Sequence, residues 1–304
     1  MPTLKQLDEC PNCHLPILLS DRFCEGCGQL LDNFGNASLT CPKCGAAAPL
    51  DSDGYCSHCG VRAETSADHI EIRLSANLAG VSDRGLVHAH NEDALALYGS
   101  DQVQILVVCD GVSCSYRPQL ASGCAAQTIC EALVDQADTD PADAILAAVA
   151  RAQLAVAAIL HPSGAEASAT TVVAAVCKAG RATIGWLGDS RAYWVAAEPN
   201  AAEPNAPSAV QLSQDHSWQA HAITRWLGAD AEAGVPDLVT VPLLSSGCLL
   251  LCSDGLWNYT EASSLAELVS MEAEAAVIAQ QLVDYACAQG AHDNVTVAVY
   301  KFAL

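Results

Sequence analysis

The sequence predicts an α+β protein in two parts, a small cysteine-bound segment followed by one large layered domain. Three observations point there. Eight of the 16 cysteines fall before residue 60, grouped as CxxC pairs. Beyond residue 70, short apolar runs suited to strands come in hairpin-like groups, and helical periodicity comes in separate blocks rather than in strict strand-helix alternation. With 304 residues and 51% hydrophobic content, the chain can bury a sizeable core.

The cysteine segment is an internal repeat. CPNC at 10–13 and CEGC at 24–27 make one unit, and CPKC at 41–44 and CSHC at 56–59 make the other. Gly28, Gly45 and Gly60 directly follow three of these pairs, where a backbone folded around thiolates needs a residue tolerant of positive φ. A redox CxxC would need a βαβ context that is absent, and the spacing is unusual for iron-sulfur ligation. The pattern therefore predicts two structural Zn²⁺ ions, each closed by four thiolates, with most of the segment's folding energy coming from metal. The other eight cysteines, Cys109, Cys114 and Cys252 among them, stand singly in apolar surroundings and read as buried, reduced thiols. The polar stretch RAETSAD at 62–68 places a boundary, giving a ribbon with its linker at 1–66 and a second domain at 67–304.

In that second domain Ile70, Ile72 and Leu74 alternate with charged residues, as a half-buried strand does. Residues 104–109 form a nearly unbroken apolar run, predicting a strand covered on both faces that ends at Asp110-Gly111. From 118 to 136, Ala121, Ala125, Ile129, Ala132 and Leu133 recur at helical spacing. A second helix starts with Asp140 as N-cap and Pro141 in the first turn, and stops at His161-Pro162. Strands at 171–177 and 182–187 flank Lys178-Ala179-Gly180 as a hairpin turn. Next, 182–187 and 193–195 read as two strands meeting at the polar turn Gly188-Asp189-Ser190. A tandem AAEPN, at 196 and 201, reads as a flexible loop insertion. Residues 241–244 and 248–252 look like a further hairpin leading into Asp254-Gly255, helical spacing runs from 264 to 288, and a last strand sets Val295, Val297 and Val299 on one face.

The net charge of -22, from 35 acids against 13 bases, argues against nucleic acid or anionic lipid as a partner, since both need clustered Lys and Arg. Proteins are the expected partners. The first eighteen residues include Lys5, Asp8 and Glu9, and no run of eighteen apolar residues occurs, so a soluble, cytoplasmic protein without a membrane span is expected. Five acidic motifs stand beside apolar strand-like runs: NED at 91–93, CDG at 109–111, GDS at 188–190, SDG at 253–255 and HDN at 292–294. Singly, each reads as a turn or cap. Gathered at strand ends, such carboxylates would repel one another unless a cation sat between them, and hard divalent ions favour oxygen ligands.

Taken together, SDRGLVHAHNEDA (82–94), CDGV (109–112), SATT (168–171), WLGDSRAY (186–193), LSQDHS (212–217), ITRWLG (223–228), LLLCSDGLW (249–257) and AHDNVTVAV (291–299) resemble the metal-dependent protein serine/threonine phosphatases of type 2C, in that family's order and over roughly 70–302. The CxxC segment resembles the double zinc ribbon, with Cys10, Cys13, Cys24 and Cys27 closing one site and Cys41, Cys44, Cys56 and Cys59 the other. The first resemblance implies an αββα sandwich of two largely antiparallel sheets flanked by helices, with two Mn²⁺ or Mg²⁺ ions at one end. It implies that Asp110 bridges both ions, that Asp254 and Asp293 sit on one, and that the Gly111 carbonyl and the Glu92 and Asp93 region lie near the other. Asp189 would hold a third, weaker ion or support the first ligands. Two cations sharing a carboxylate can supply hydroxide at neutral pH and neutralise phosphate oxygens, so the implied activity is hydrolysis of phosphoserine and phosphothreonine in protein substrates, with the ribbon docking a protein partner.

Three departures from the family pattern qualify this. His88 replaces the usual phosphate-binding Arg before NED, and a neutral imidazole cannot offer a guanidinium's bidentate fork, which leaves Arg84 and Arg117 as substitute cations to be tested. No general-acid His follows Asp110 in DGVSC at 110–114, so water would protonate the leaving oxygen. Only residues 218–222 separate DHS from ITR, a short flap that should leave the centre open. The competing reading is a pseudophosphatase kept as a scaffold or phosphoprotein-binding module. Retention of every core carboxylate favours the enzyme.

Overall fold

The computed structural model describes residues 44–46, 55–61, 67–197, 209–218, 222–231 and 234–304, together with two backbone strands at 6–9 and 16–18. The chain divides into two compact units, Met1–Glu64 and Thr65–Leu304.

In the first unit, β1 (Gln6–Glu9) pairs antiparallel with β2 (Pro16–Leu18). The Sγ atoms of Cys44, Cys56 and Cys59 lie within 4.8 Å of one another. Gly45 and Gly60 adopt φ of 68° and 70°, the left-handed turns expected behind the thiolates. In the second knuckle Gly60 N–H donates to the Cys56 carbonyl at 2.8 Å. Cys10, Cys13, Cys24, Cys27, Cys41 and Gly28 lie outside the described residues, as does most of the AAEPN repeat.

The second unit runs β3 (His69–Arg73), β4 (Leu78–Asp83), β5 (Asp93–Gly99), β6 (Val103–Asp110), α1 (Pro118–Asp135), α2 (Pro141–Ala157), β7 (Ala169–Thr170), β8 (Val172–Lys178), β9 (Arg181–Leu187) and β10 (Arg191–Ala196). It continues through β11 (Ala209–Gln211), β12 (Ser217–Trp218), β13 (Ala222–Ile223), β14 (Leu227–Gly228), β15 (Asp237–Pro242), β16 (Gly247–Cys252), α3 (Asp254–Trp257), α4 (Ala262–Leu268), α5 (Ala275–Ala288) and β17 (Val295–Phe302). A six-stranded sheet has the order β11-β10-β16-β17-β4-β3 and a five-stranded sheet the order β15-β9-β8-β6-β5. Both are antiparallel throughout. Three buried clusters make the layers. Val81, Leu250, Val297 and Val299 pack on α4 and α5, and Val107, Val172 and Val176 pack on α1 and α2. Between the sheets, Leu106, Val108, Ile184, Leu249, Leu251 and Ala298 interlock. The arrangement is an αββα sandwich, as expected.

Local signals hold where the contact is local. Asp140 caps α2, its side chain accepting from Ala142 N–H at 2.9 Å. The β8–β9 hairpin turns on Ala179 and Gly180, both at positive φ, of 50° and 70°. Four expectations need correction. The 182–187 and 193–195 strands do not pair: β9 belongs to the five-stranded sheet and β10 to the six-stranded one, so Gly188-Asp189-Ser190 crosses between the layers. Nor do 241–244 and 248–252 form a hairpin. β15 pairs with β9, while β16 pairs with β10 and β17, and Leu243, packed between the sheets, sits on the connection. The helical run at 264–288 is two helices, broken where Val269 turns extended, at ψ 99°. Cys114 is exposed, on the loop that leaves β6, and Cys124, Cys130 and Cys287 are half-buried, whereas Cys109, Cys177, Cys248 and Cys252 are buried as expected.

Candidate active site

Every acidic motif falls at the same end of the sandwich, and the pairing register explains why. Asp93 opens β5 opposite Asp110, which closes β6. Across the gap, Arg191 at the start of β10 pairs with Cys252 at the end of β16, which in turn pairs with Val297 of β17. This register brings the GDS turn, Asp254 at the start of α3 and Asp293 just ahead of β17 to one edge. The crossing turn at 188–190 links the two sheets there. Gly188 takes φ 101° against Thr171, and a Cβ on it would come 2.6 Å from Thr171 Cγ2.

The carboxylates stand close enough to perturb one another. Burial, opposed by hydrogen bonds from Ser253 and Thr296 and reinforced by Asp293, pushes Asp93 up to about 7. Burial, then Asp293, Asp189 and Asp93, pushes Asp254 up to about 8. Asp110 is held well above the usual carboxylate range by burial and by Asp93, Asp254, Asp293 and Asp189. Asp254 Oδ1 is buried with no hydrogen-bond partner, which is costly for a group that ionises. Like charges at a shared site raise one another's pKa in this way, and an intervening cation reverses the effect. The groups gathered here are carboxylates, whose oxygens suit hard divalent ions. At Gly111 a Cβ would lie 2.6 Å from the Pro118 carbonyl oxygen and 2.7 Å from that of Glu92, so only glycine lets the backbone come so near.

A collar of hydroxyls and amides orients the acids. Ser253 Oγ donates to Asp93 Oδ2 at 2.7 Å and accepts from Thr296 N–H at 3.0 Å. Asn294 Nδ2 donates to the carbonyls of Arg84 and His90 at 2.7 and 3.0 Å, and its Oδ1 accepts from Glu92 N–H at 2.7 Å, so one amide pins the 84–92 loop. Thr171 Oγ1 accepts from Asp110 N–H at 3.1 Å and shares a hydrogen bond of 2.7 Å with Ser190 Oγ, tying Asp110 to the crossing turn. Behind Asp189, Trp257 Nε1 donates to its carbonyl at 2.9 Å, and the Arg191 guanidinium lies 3.7 Å over the Trp257 ring while paired with Asp215 at 2.7 Å. Sequence reading missed Ser253, Asn294, Thr171 and Trp257 as supports, although all four stand inside the quoted motifs.

His88 lies on the 84–92 loop and not in a strand, with Nε2 3.5 Å from Asp293 Oδ1 and Nδ1 3.9 Å from Glu92 Oε2. Of the substitute cations, Arg84 donates to the His88 carbonyl and pairs with Asp68 at 4.0 Å, and Arg117 lies 5.4 Å from the centroid of the Tyr116 ring. Both guanidiniums are thus engaged locally. The flap reduces to the β12–β13 hairpin, whose Trp218 is 72% exposed.

A two-sheet sandwich edged with buried carboxylates defines a class, and comparison bears it out: residues 86–285 match the protein phosphatase 2C family, and the chain belongs to it. Residues 10–60 match the double zinc ribbon. Among particular relatives, the serine/threonine phosphatase stp of Listeria monocytogenes is 26% identical over 245 residues, 72% of this chain and 93% of that protein. The crystal structure of the PPM Ser-Thr phosphatase MsPP from Mycobacterium smegmatis, in complex with cacodylate, superposes with a TM-score of 0.62 at 26% identity, covering 76% of this chain and 99% of that one. The catalytic domain of the phosphatase PstP, crystallised with 2 manganese ions, gives 0.57 at 26% identity, covering 75% and 98%. No helix among the described residues is long and apolar enough to cross a membrane.

Proposed function

We propose that this chain hydrolyses phosphoserine and phosphothreonine in proteins, and that Asp110, Asp254, Asp293 and the Gly111 carbonyl hold two Mn²⁺ or Mg²⁺ ions, with Glu92 and Asp93 beside them and Asp189 serving a third ion or supporting the first two. The observation that carries this reading is the buried, partnerless Oδ1 of Asp254 within a group of carboxylates that raise one another's pKa. Divalent ions bound there would activate water and neutralise the phosphate oxygens during in-line attack. The chain's own groups do the positioning. Asn294 holds His88 and Glu92 at the mouth through the loop backbone, Ser253 fixes the rotamer of Asp93, and the lack of a side chain on Gly111 lets its backbone lie against the Pro118 and Glu92 carbonyls. No imidazole follows Asp110, so the leaving seryl oxygen takes its proton from solvent. His88 stands where the family carries its phosphate-binding Arg, at the mouth between Asp293 and Glu92.

For the first unit we infer two structural zinc ions, one held by Cys10, Cys13, Cys24 and Cys27 and one by Cys41, Cys44, Cys56 and Cys59, in a module that docks a protein partner. The convergence of the Cys44, Cys56 and Cys59 sulfurs supports the second site. Asp110→Asn should abolish Mn²⁺-dependent hydrolysis of a phosphothreonine peptide while circular dichroism stays unchanged. Turnover that persists in Asp110→Asn, or in excess chelator, would contradict the metal centre.

A further inference from the structure

The position of His88 relative to Asp293 fits metal ligation better than it fits a hydrogen bond. We propose that His88 Nε2 is a nitrogen ligand to the divalent ion carried by Asp293, so that the centre favours Mn²⁺ and later first-row ions over Mg²⁺; this rests on the carboxylate centre proposed above. The 3.5 Å between Nε2 and Asp293 Oδ1 is long for a hydrogen bond. Two donors that each reach one ion at ~2.1 Å can stand no more than about 4.2 Å apart, and this pair lies inside that limit.

The rest of the imidazole's surroundings fit that role. Nδ1 faces Glu92 Oε2 at 3.9 Å, and that oxygen is itself held by Ser113 Oγ at 2.6 Å. At 3.9 Å this is an ion-pair approach and not a hydrogen bond; in a ring that ligates through Nε2, one bridging water would give Nδ1–H the carboxylate partner that ligating imidazoles usually have. The backbone is held as well, because Arg84 donates to the His88 carbonyl and Asn294 grips the carbonyls of Arg84 and His90. An independent sign that an ion belongs here is the buried, partnerless Asp254 Oδ1, on a carboxylate whose leading charged neighbour is Asp293. A guanidinium cannot ligate a cation and an imidazole can, so the exchange of Arg for His replaces a phosphate contact with a metal contact. Adding one imidazole nitrogen to an all-oxygen set moves affinity along the first-row series, away from the harder Mg²⁺.

The test uses the full, zinc-replete chain with Mn²⁺ alone as probe, read by pulsed electron paramagnetic resonance. The proposal expects a coupling from directly bound ¹⁴N in the native protein that changes on ¹⁵N-histidine labelling and is absent from His88→Gln. It also expects Mn²⁺ affinity to fall at least about tenfold in His88→Gln while Mg²⁺ affinity hardly moves. If Mn²⁺ binds, and Asp110→Asn abolishes that binding, but no histidine coupling is seen, the role of His88 is overturned and the carboxylate centre stands. A coupling that persists in His88→Gln also overturns it, pointing to His90 or His292. Failure of Mn²⁺ to bind the native chain at all overturns both. Should His88→Gln not fold, native spectra with and without ¹⁵N-histidine, set beside those of His90→Gln and His292→Gln, decide the assignment by exclusion.

Discussion

The cysteine cluster of the first unit and the carboxylate cluster of the second are both proposed as metal sites, but they rest on different foundations. Among the described thiols of this unit, Cys44 and Cys59 are exposed and only Cys56 is buried. The carboxylates sit at the rim of a sandwich whose three apolar clusters need nothing from them. In the first unit the metal is expected to make the fold. In the second the fold assembles the carboxylates by itself and holds like charges together at a cost in stability, which bound cations are expected to relieve.

That contrast predicts its largest effect on metal removal. Stripping the zinc should unfold the first unit, since a thiolate site of this kind is worth about 10–16 kcal/mol, and should leave the sandwich's circular dichroism and cooperative melt in place. A fragment starting at Ala67 should keep its turnover of a small aryl phosphate. Loss of that turnover on deleting 1–66 would show that the ribbon supports the active site and does not merely dock partners.

The second effect is an inversion within the carboxylate site. Asp254→Asn keeps the shape and removes one of the mutually repelling charges, so the metal-free protein should melt higher than the native one, by about 2–4 °C per kcal/mol gained. The same variant should lose the stabilisation that Mn²⁺ gives the native chain, along with its turnover. An unchanged or lower melting temperature without metal would mean that Asp254 is not strained by its neighbours.

The pH dependence follows from the same charges. Asp93 and Asp254 have folded-state pKa values of about 7 and about 8, above the ordinary 3.8. A raised pKa contributes stability that is fully present below the ordinary value and is lost as pH rises through the folded one. The metal-free sandwich should therefore melt progressively lower from about pH 4 to about pH 8, and saturating Mn²⁺ should flatten that slope. A smaller change is expected at Trp257. Trp257→Phe removes the 2.9 Å hydrogen bond to the Asp189 carbonyl, at about 1 kcal/mol, and should weaken binding of the last metal ion more than it lowers the melting temperature.

What could be read from the sequence divides by range. The Asp140 cap, the hairpin at Ala179-Gly180 and the strand ending at Asp110 each depend on residues a few positions apart, and their chemistry is written locally. The carboxylates were legible because five of them stood at the ends of apolar runs. Sheet membership was not, because a Gly-Asp-Ser turn looks the same whether it closes a hairpin or crosses between layers, and β15 chose β9 through long-range packing. The break between α4 and α5 carries neither Gly nor Pro, so periodicity ran straight through it. Ser253 and Asn294 were hidden for a related reason. A hydroxyl or an amide beside a turn is commonplace, and only the fold brings Ser253 to Asp93 and Asn294 to the 84–92 loop.

Calorimetric titration of the zinc-replete, otherwise metal-free chain with Mn²⁺, repeated in buffers of different ionisation enthalpy, tests most directly whether these carboxylates hold metal. At pH 6.5 Asp93 and Asp254 should still carry protons, and these must leave as the ion binds. We predict saturable Mn²⁺ binding with about one or more protons released at pH 6.5, a release that fades by pH 9 and shrinks in Asp254→Asn. Binding without proton release at pH 6.5, or no saturable binding at any pH, would contradict the account.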